Sequence, residues 1–497
     1  NISKVSRNLP HWLKVPNVVS SDVKEGKVAC DEMKHLLDPE IILTLKESQI
    51  ESFFPVQKQI ITELLENANE MTWQFPIGGV PLSDICCSAP TGSGKTLAFV
   101  IPIVQILKYS TFRALRCLVV VPVVELASQV YKVFKTFTKN TNLKVGVANG
   151  LKSFSAEQLS IIDFKGAYGP TSKVDILVCT PGRLVDHIHS SPHFNLSQLR
   201  FLVVDEADRM MEEVKQDWLS HVERAVFQSA NQITQNSNDQ RPYQFALLRN
   251  HIQRPRIQLQ KLLFSATLSH NPEKLQLMKL YNPKLFTSVA KRDKSNLKRN
   301  LYLGKYVTPV GLKENFVEVD KSRKPLVLLH ILKTMPFKSI LCFSNSVQST
   351  NRLCSLMKLM EVKACEFSSN LHISKRDRVV KQFNTGKLNL MVCSDAMSRG
   401  LDLEAVDCVV SYDVATSLKT YIHRIGRTAR AGKEGSAIAL LEKKEIQYFK
   451  RLLKDGGKEK IKEIKVNQSK LKPYTSQYQK ALAALAKTLQ TENNKIK

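Results

Sequence analysis

The chain has 497 residues, too many for one compact core, and 43% of them are hydrophobic, enough to fill two α/β domains plus tails. Lysine and arginine number 73 against 45 acidic residues, a net charge of +28, which favours a polyanionic partner because basic side chains near phosphates release condensed counterions. Charge alone would also suit an anionic membrane surface, but no apolar run reaches the roughly 18 residues of a membrane span, so no membrane partner is expected.

The first 37 residues lack periodicity and are expected to form an extended N-terminal arm. From Asp38 to Leu65 the pattern is helical, interrupted at Phe53-Phe54-Pro55. Strand-length apolar runs then alternate with amphipathic stretches. The expected strands are Asp84–Ser88, Cys117–Val121, Lys144–Asn149, Val174–Cys179, Phe201–Val204 and Lys261–Phe264. That alternation argues for βαβ units and a parallel sheet over 38–290. Residues 228–260, rich in Gln and Asn, read as an inserted surface loop. Residues 291–311 are short of apolar periodicity and read as a linker. A second alternating series over 312–442 has expected strands at Ser339–Phe343, Lys363–Phe367, Leu388–Cys393, Cys408–Tyr412 and Ser436–Leu441. Residues 443–497 form a basic C-terminal extension, with Lys480–Leu489 as a candidate amphipathic helix. None of the ten cysteines forms a Cys-x-x-Cys pair, and most sit in apolar runs, so buried free thiols and a reducing compartment are expected.

Chemistry concentrates at three places in the first series. Ala89-Pro90-Thr91-Gly92-Ser93-Gly94-Lys95-Thr96 follows a strand and opens a helix, which lets backbone N–H groups turn onto a phosphate. Lys95 is placed to reach the β/γ-phosphates of ATP, and the Thr96 hydroxyl to hold Mg²⁺. Asp205-Glu206-Ala207-Asp208 stands directly after a strand, where a carboxylate can hold Mg²⁺; Asp205 is the expected metal partner and Glu206 the group that orients or deprotonates water. Thr180-Pro181-Gly182-Arg183 follows another strand and opens a helix, a seat for a nucleic-acid phosphate.

The literal Asp-Glu-Ala-Asp, Ser265-Ala266-Thr267 after the next strand, and Tyr421-Ile422-His423-Arg424-Ile425-Gly426-Arg427-Thr428-Ala429-Arg430 together resemble the core of the DEAD-box RNA helicases, from about Asp38 to Leu441. The resemblance implies two tandem RecA-like domains with parallel sheets, binding ATP and RNA. It implies adenine reading by Gln57, ribose contact by Asp402, and arginine fingers at Arg427 and Arg430, which in such enzymes are worth ~10³–10⁵ in rate. It implies that Ser265 and Thr267 couple the acidic motif to the RNA side through Asp208. RNA contacts are implied for Asn149, Gly150, Thr180, Pro181, Gly182, Arg183, Asn345, Arg376 and Ser394.

Four positions depart from the family pattern. Phe54 stands where the family usually has Thr, and no aromatic lies between Asp31 and Ser52, so Phe53 or Phe54 is the available substitute for stacking on adenine. Val124 and Ile373 replace the usual Arg and Gln at RNA-side positions. Asn149 replaces a glycine.

The Phe-Phe-Pro-Val-Gln variant, the insertion and the basic tail resemble the ribosome-assembly branch. That resemblance implies a nucleolar role on pre-ribosomal RNA of the large subunit, with pre-ribosomal assembly proteins as partners. A DNA helicase on the same core and a weakly catalytic RNA clamp are the rival readings, the latter resting on Val124 and Ile373.

Overall fold

Strands apolar at every position are satisfied only in a sheet covered on both faces, and both halves of the chain use them that way. The computed structural model describes residues 10–20, 22, 26–74, 82–165, 169–211, 217–235, 259–268, 275–289, 308, 311–368, 370–395, 403, 406–456, 458 and 461–496. The chain divides into two units, Asn1–Asn300 and Leu301–Lys497.

The first unit is built on eight parallel strands: β1 (Asn17–Ser20), β2 (Ile85–Ser88), β3 (Cys117–Val120), β4 (Val145–Ala148), β5 (Ile176–Cys179), β6 (Phe201–Asp205), β7 (Gln260–Ser265) and β8 (Lys284–Val289). Their order across the sheet is β1-β8-β2-β7-β6-β3-β5-β4. Successive residues point to opposite faces. Cys87, Val119, Val203 and Phe264 enter one core, beneath the helices α1 (Pro39–Glu47), α2 (Pro55–Gln74), α3 (Lys95–Leu107) and α4 (Val124–Phe137). Cys86, Leu118, Val204 and Leu263 enter the other, under α5 (Phe154–Ile161), α6 (Pro181–Ser190) and α7 (Trp218–Gln235).

The second unit repeats the plan. Its strands are β9 (Leu312–Glu318), β10 (Ile340–Ser344), β11 (Ala364–Phe367), β12 (Leu390–Ser394), β13 (Cys408–Ser411), β14 (Gly435–Leu441) and β15 (Lys462–Glu463). They lie in the order β11-β12-β10-β13-β14-β9-β15, again all parallel. The helices used below are α8 (Lys324–Thr334), α9 (Val347–Leu359), α10 (Ile373–Asn384), α11 (Leu418–Ile425), α12 (Lys443–Asp455) and α13 (Gln468–Ile496).

Three segments differ from expectation. The N-terminal arm folds onto the first unit: β1 adds to the sheet beside β8, Leu13 enters one core, and Val19 and Met33 enter the other. The insertion begins later than expected, because 228–235 continue α7 and Gln260 opens β7; residues 236–258 lie outside the described residues. The basic extension folds onto the second unit. Leu471, Tyr474, Tyr478, Ala481 and Leu485 recur at helical spacing on α13 and pack into the same core as α8 and α9. Among lysines, that stripe is easy to miss in the sequence. All ten cysteines are buried and unpaired. No helix of the described residues is long and apolar enough to cross a membrane.

Candidate active site

The phosphate loop leaves β2 at the C-terminal edge of the first sheet, where Ala89 N–H continues the ladder by donating to Ser265 O at 3.1 Å. Gly92 and Gly94 take φ of +81° and +79°, a region that costs an L side chain roughly 1–2 kcal/mol. A Cβ on Gly94 would stand 2.1 Å from Gln57 Nε2. Lys95 Nζ donates to the carbonyls of Ala89 (2.8 Å) and Pro90 (3.0 Å), holding the loop closed on its own backbone. The Ser93 hydroxyl is buried with no hydrogen-bond partner among the described residues. The loop thus offers a cradle with a cation and an unused polar group.

Gln57 is buried against that loop. Its Oε1 accepts from Phe54 N–H at 2.7 Å and its Nε2 donates to Gly94 O at 3.2 Å, so one amide joins the start of α2 to the loop. Phe53 is fully buried in the core and has no face to offer a base. Phe54 remains half-buried beside Gly94, with Lys27 Nζ 5.5 Å above its ring.

Asp205 ends β6. Burial, with the charge of Glu206 added, pushes its carboxyl up to about 7 against the opposing pull of Lys95. Glu206 follows in the left-handed region at φ +53°, its N–H donating to Asp205 Oδ1 at 2.9 Å. Asp208 is buried and accepts from Thr267 Oγ1 at 2.5 Å, while Thr267 N–H donates to Ser265 Oγ at 2.9 Å. A Thr hydroxyl and an aspartate are hard oxygen donors, and a divalent cation would offset the cost of ionising buried Asp205; the donor set therefore fits Mg²⁺.

Asn149, Gly150 and Arg183, for which RNA contacts are expected, converge on a carboxylate that the sequence reading missed. Glu157, 1% exposed, accepts from Asn149 N–H (3.2 Å) and Gly150 N–H (2.9 Å) on Oε1, and from Arg183 Nε (2.9 Å) on Oε2. His187 Nε2 lies 3.4 Å from Oε2, and its Nδ1 2.8 Å from Ser191 Oγ. Burial lowers the His187 pKa. The neutral tautomer with Nε2–H facing the carboxylate and Nδ1 accepting from the hydroxyl satisfies both contacts. The Asn149 side chain turns inward, donating to Ser128 Oγ at 3.1 Å and accepting from Leu151 N–H at 3.3 Å. Its role in the structure is to shape the turn. Thr180 is the N-cap of α6 but makes no side-chain capping bond. In sequence, Glu157 looks like an ordinary acid in the first turn of α5; no spacing marks it.

In the second unit the buried hub is Arg424, also missed although it lies inside the quoted motif. Its side chain is fully buried and forks onto Asp395 (Nε–Oδ1 2.6 Å, Nη2–Oδ2 2.7 Å), Asn345 Oδ1 (2.7 Å) and Asp413 O (2.5 Å). Asn345 is held further by donating from N to Asp413 Oδ2 at 2.9 Å and from Nδ2 to Val414 O at 3.1 Å. Ser394 ends β12 beside Ser344 of β10, each hydroxyl buried without a hydrogen-bond partner among the described residues. Arg376 Nε donates to Leu371 O at 2.9 Å. Arg427 is 4% exposed, its Nε 3.5 Å from His423 O; Arg430 Nε donates to Gly426 O at 3.1 Å. Asp402 lies outside the described residues.

Residues 54–275 match the family model for the DEAD/DEAH box helicases, and residues 323–432 match the helicase conserved C-terminal domain. The chain is 42% identical to ATP-dependent RNA helicase DDX51 of Danio rerio over 496 residues, covering 100% of this chain and 75% of that protein. It is 43% identical to DDX51 of Homo sapiens over 491 residues (98% and 73%) and 35% identical to dbp6 of Schizosaccharomyces pombe over 508 residues (98% and 80%). Two solved structures share its fold. Mss116p bound to ssRNA and AMP-PNP superposes with a TM-score of 0.67 at 24% identity, over 91% of this chain and 82% of that one. Dbp5 of S. cerevisiae bound to RNA and ADP BeF3 superposes at 0.65 and 19%, over 91% and 99%.

Proposed function

Because the chain belongs to the DEAD/DEAH box helicases and is an ATP-hydrolysing RNA helicase, we propose that it separates short RNA duplexes or remodels RNA–protein complexes during maturation of pre-ribosomal RNA for the large subunit, in the nucleolus. The observation that carries the chemical part is the meeting of the phosphate loop and the acidic motif at one sheet edge, where β2 and β6 flank β7 and the charge of Lys95 reaches the buried Asp205.

Each group then has a role. The loop from Ala89 to Thr96 holds the phosphates of ATP through its amides, Lys95 balances their charge, and Gln57 reads the adenine edge. Thr96 and Asp205 are the residues that would hold Mg²⁺, which when bound neutralises charge on the phosphate oxygens. Glu206, held in place by the Asp205 hydrogen bond to its amide, orients the attacking water. Arg427 and Arg430 stabilise charge on the transferred phosphoryl as arginine fingers, and Asp402 contacts the ribose. Asp208, Thr267 and Ser265 relay the state of the acidic motif to the RNA side. There the contacts proposed for Asn149, Gly150, Thr180, Pro181, Gly182, Arg183, Asn345, Arg376 and Ser394 reach phosphate and sugar, so sequence selectivity is low. Opening a few stacked steps costs several kcal/mol, about 1.4 per step in DNA, which suits local strand separation.

The test is ATP turnover with and without single-stranded RNA, on the chain and on Glu206→Gln. RNA stimulation that vanishes in the variant supports the assignment of Glu206. Turnover that survives the substitution removes it. The ribosomal assignment rests on the resemblance to that branch of the family. It predicts that cells carrying only Glu206→Gln accumulate large-subunit rRNA precursors, and it fails if their precursor profile is normal.

A further inference from the structure

The helix α12, Lys443–Asp455, has a face that neither the catalytic reading nor the core explains. Phe449, Leu452 and Leu453 bury one side of it, with Ile446 packed beside them. At 100° per residue, Lys443, Lys444, Arg451 and Lys454 fall on the opposite side within roughly a 100° arc, and all four are exposed. The stripe extends about 16 Å at 1.5 Å per residue.

The acids near the start of the helix do not neutralise this face. Glu445 is turned inward, accepting from Glu442 N–H at 2.8 Å and lying 3.4 Å from Lys324 Nζ. Glu442 contributes to the same capping box and is only 21% exposed. Lys444, its one cationic neighbour on the stripe, is 79% exposed, so the pair is screened and weak. Asp455 alone stands at the far end.

An aromatic ring flanks the cations. Tyr448 sits one turn from both Lys444 and Arg451 and is 42% exposed. Its hydroxyl donates to Thr416 O at 2.8 Å, which fixes the ring against the loop before α11. A ring already immobilised loses little entropy when a base stacks on it, and stacking is worth about 1–3 kcal/mol per base. Cations in a line with an anchored aromatic at their flank are what a single strand requires: phosphates on the cations and a base on the ring. An acidic protein would use the cations and leave Tyr448 idle.

We propose that the solvent face of α12 is a second binding surface for single-stranded RNA, seating phosphates on Lys443, Lys444, Arg451 and Lys454 and a base on Tyr448. This surface presupposes the RNA helicase activity and adds to it a hold on the strand away from Asn345, Arg376 and Ser394. Those residues stand at the end of β10, on α10 and at the end of β12. The helix α12 follows β14 and packs through Tyr421 and Phe449, whose rings meet edge to face at 5.2 Å.

The experiment compares the full chain with the triple variant Lys444→Gln, Arg451→Gln, Lys454→Gln and, separately, with Tyr448→Leu. Each is titrated into a fluorescent oligouridylate just long enough to stimulate ATP turnover fully, and into one about three times longer. The wild type binds the longer strand more tightly. The triple variant loses this advantage, about tenfold, and the slope of log K against log salt on the long strand falls by about 2, some 0.7 for each of three lost phosphate contacts. Tyr448→Leu weakens the long strand several-fold with the slope unchanged. Binding and turnover on the short strand stay as in the wild type for both variants, and so does the melting temperature. The surface is refuted if the variants bind the long strand as the wild type does. It is equally refuted if the short strand weakens by the same factor, which would mark a general loss of positive field. Failure of the wild type to bind or respond to the short strand would instead overturn the RNA helicase reading itself.

Discussion

Glu157→Gln is the substitution that most directly tests how the first unit presents Asn149, Gly150 and Arg183, which are proposed to contact RNA. Glutamine has the same shape and can leave its oxygen on the amides of Asn149 and Gly150, which lie 3.2 and 2.9 Å from the native carboxylate. Its NH₂ group then meets Arg183 Nε–H and His187 Nε2–H, which lie 2.9 and 3.4 Å from the oxygen it replaces. Donor faces donor at both. One charge-assisted hydrogen bond is lost at about 1.5–3 kcal/mol, and the histidine N–H adds about 1 more. Breaking a fully buried ion pair costs about 3–5 kcal/mol, but Arg183 is 21% exposed and keeps its 3.3 Å bond to Lys152 O, so part of its charge is recovered by water. The expected loss is about 3 kcal/mol.

All three tryptophans, Trp12, Trp73 and Trp218, lie in the first unit, so their fluorescence during urea unfolding follows that unit alone. The transition should move to lower urea, with the unfolding free energy reduced by that amount. The RNA concentration that half-saturates ATP turnover should rise at least tenfold, because Arg183 and the 149–150 turn are no longer held in register. Turnover without RNA and the affinity for ATP should not change, since no bond of the network reaches the phosphate loop. A variant whose unfolding midpoint and RNA half-saturation both match the wild type would refute the reasoning.

Two further outcomes follow from single positions. Asp84 accepts from Lys261 N–H and Tyr281 N–H, both at 2.7 Å, yet burial pushes its carboxyl up to about 6 from an ordinary 3.8. The folded state therefore holds this proton more tightly than the unfolded chain. Its contribution is fully present below about pH 4 and is lost as pH rises through 6, about 3 kcal/mol in all. Asp84→Asn should flatten that part of the pH dependence of first-unit unfolding, and an unchanged slope would show that the group does not titrate there. Gly435→Ala would place a Cβ 2.1 Å from Thr428 Oγ1 and 2.5 Å from Ala429 N. It should destabilise the second unit by about 1–3 kcal/mol and cut RNA-stimulated turnover more than tenfold, measured by urea unfolding and by phosphate release.

Most strands were legible because a run such as Phe201-Leu202-Val203-Val204 is apolar on both faces and bounded by polar residues. The two missed strands of the first sheet, β1 and β8, lie at one edge, where Asn17, Lys284 and Thr287 break the apolar run; β1 is the outermost. The motifs were legible for a different reason: a phosphate loop or an acidic strand end needs particular residue types in consecutive positions. Glu157, Arg424 and Asp395 were not, because their partners lie 7 to 79 residues away and only the fold brings them together. The motif places Asn149 among the expected RNA contacts, and its side-chain bonds to Ser128 Oγ and Leu151 N–H, which shape the turn, are not marked by any spacing in the sequence.

Backbone strain shows how closely the motifs depend on residues outside them. Glu206 at φ +53°, Ala429 at +54° and Ala431 at +52° are L residues in the left-handed region, each costing roughly 1–2 kcal/mol. They persist because neighbours over-determine them. The amide of Glu206 is tied to Asp205, and its carbonyl accepts from Arg209 and Met210 at 2.9 and 3.2 Å. The turn at Ala429 is anchored on one side by the Thr428 hydroxyl, which donates to Val406 O, and is given room on the other by the bare Cα of Gly435. Gly435 also donates its N–H to Gly311 O at 3.1 Å, so β14 is pinned while the turn packs against it. A glycine outside the arginine motif thus permits the backbone turn between Arg427 and Arg430. Arginines proposed as fingers are only as well placed as the turn that carries them, so the proposal makes Gly435 a positioning residue although it bears no functional group.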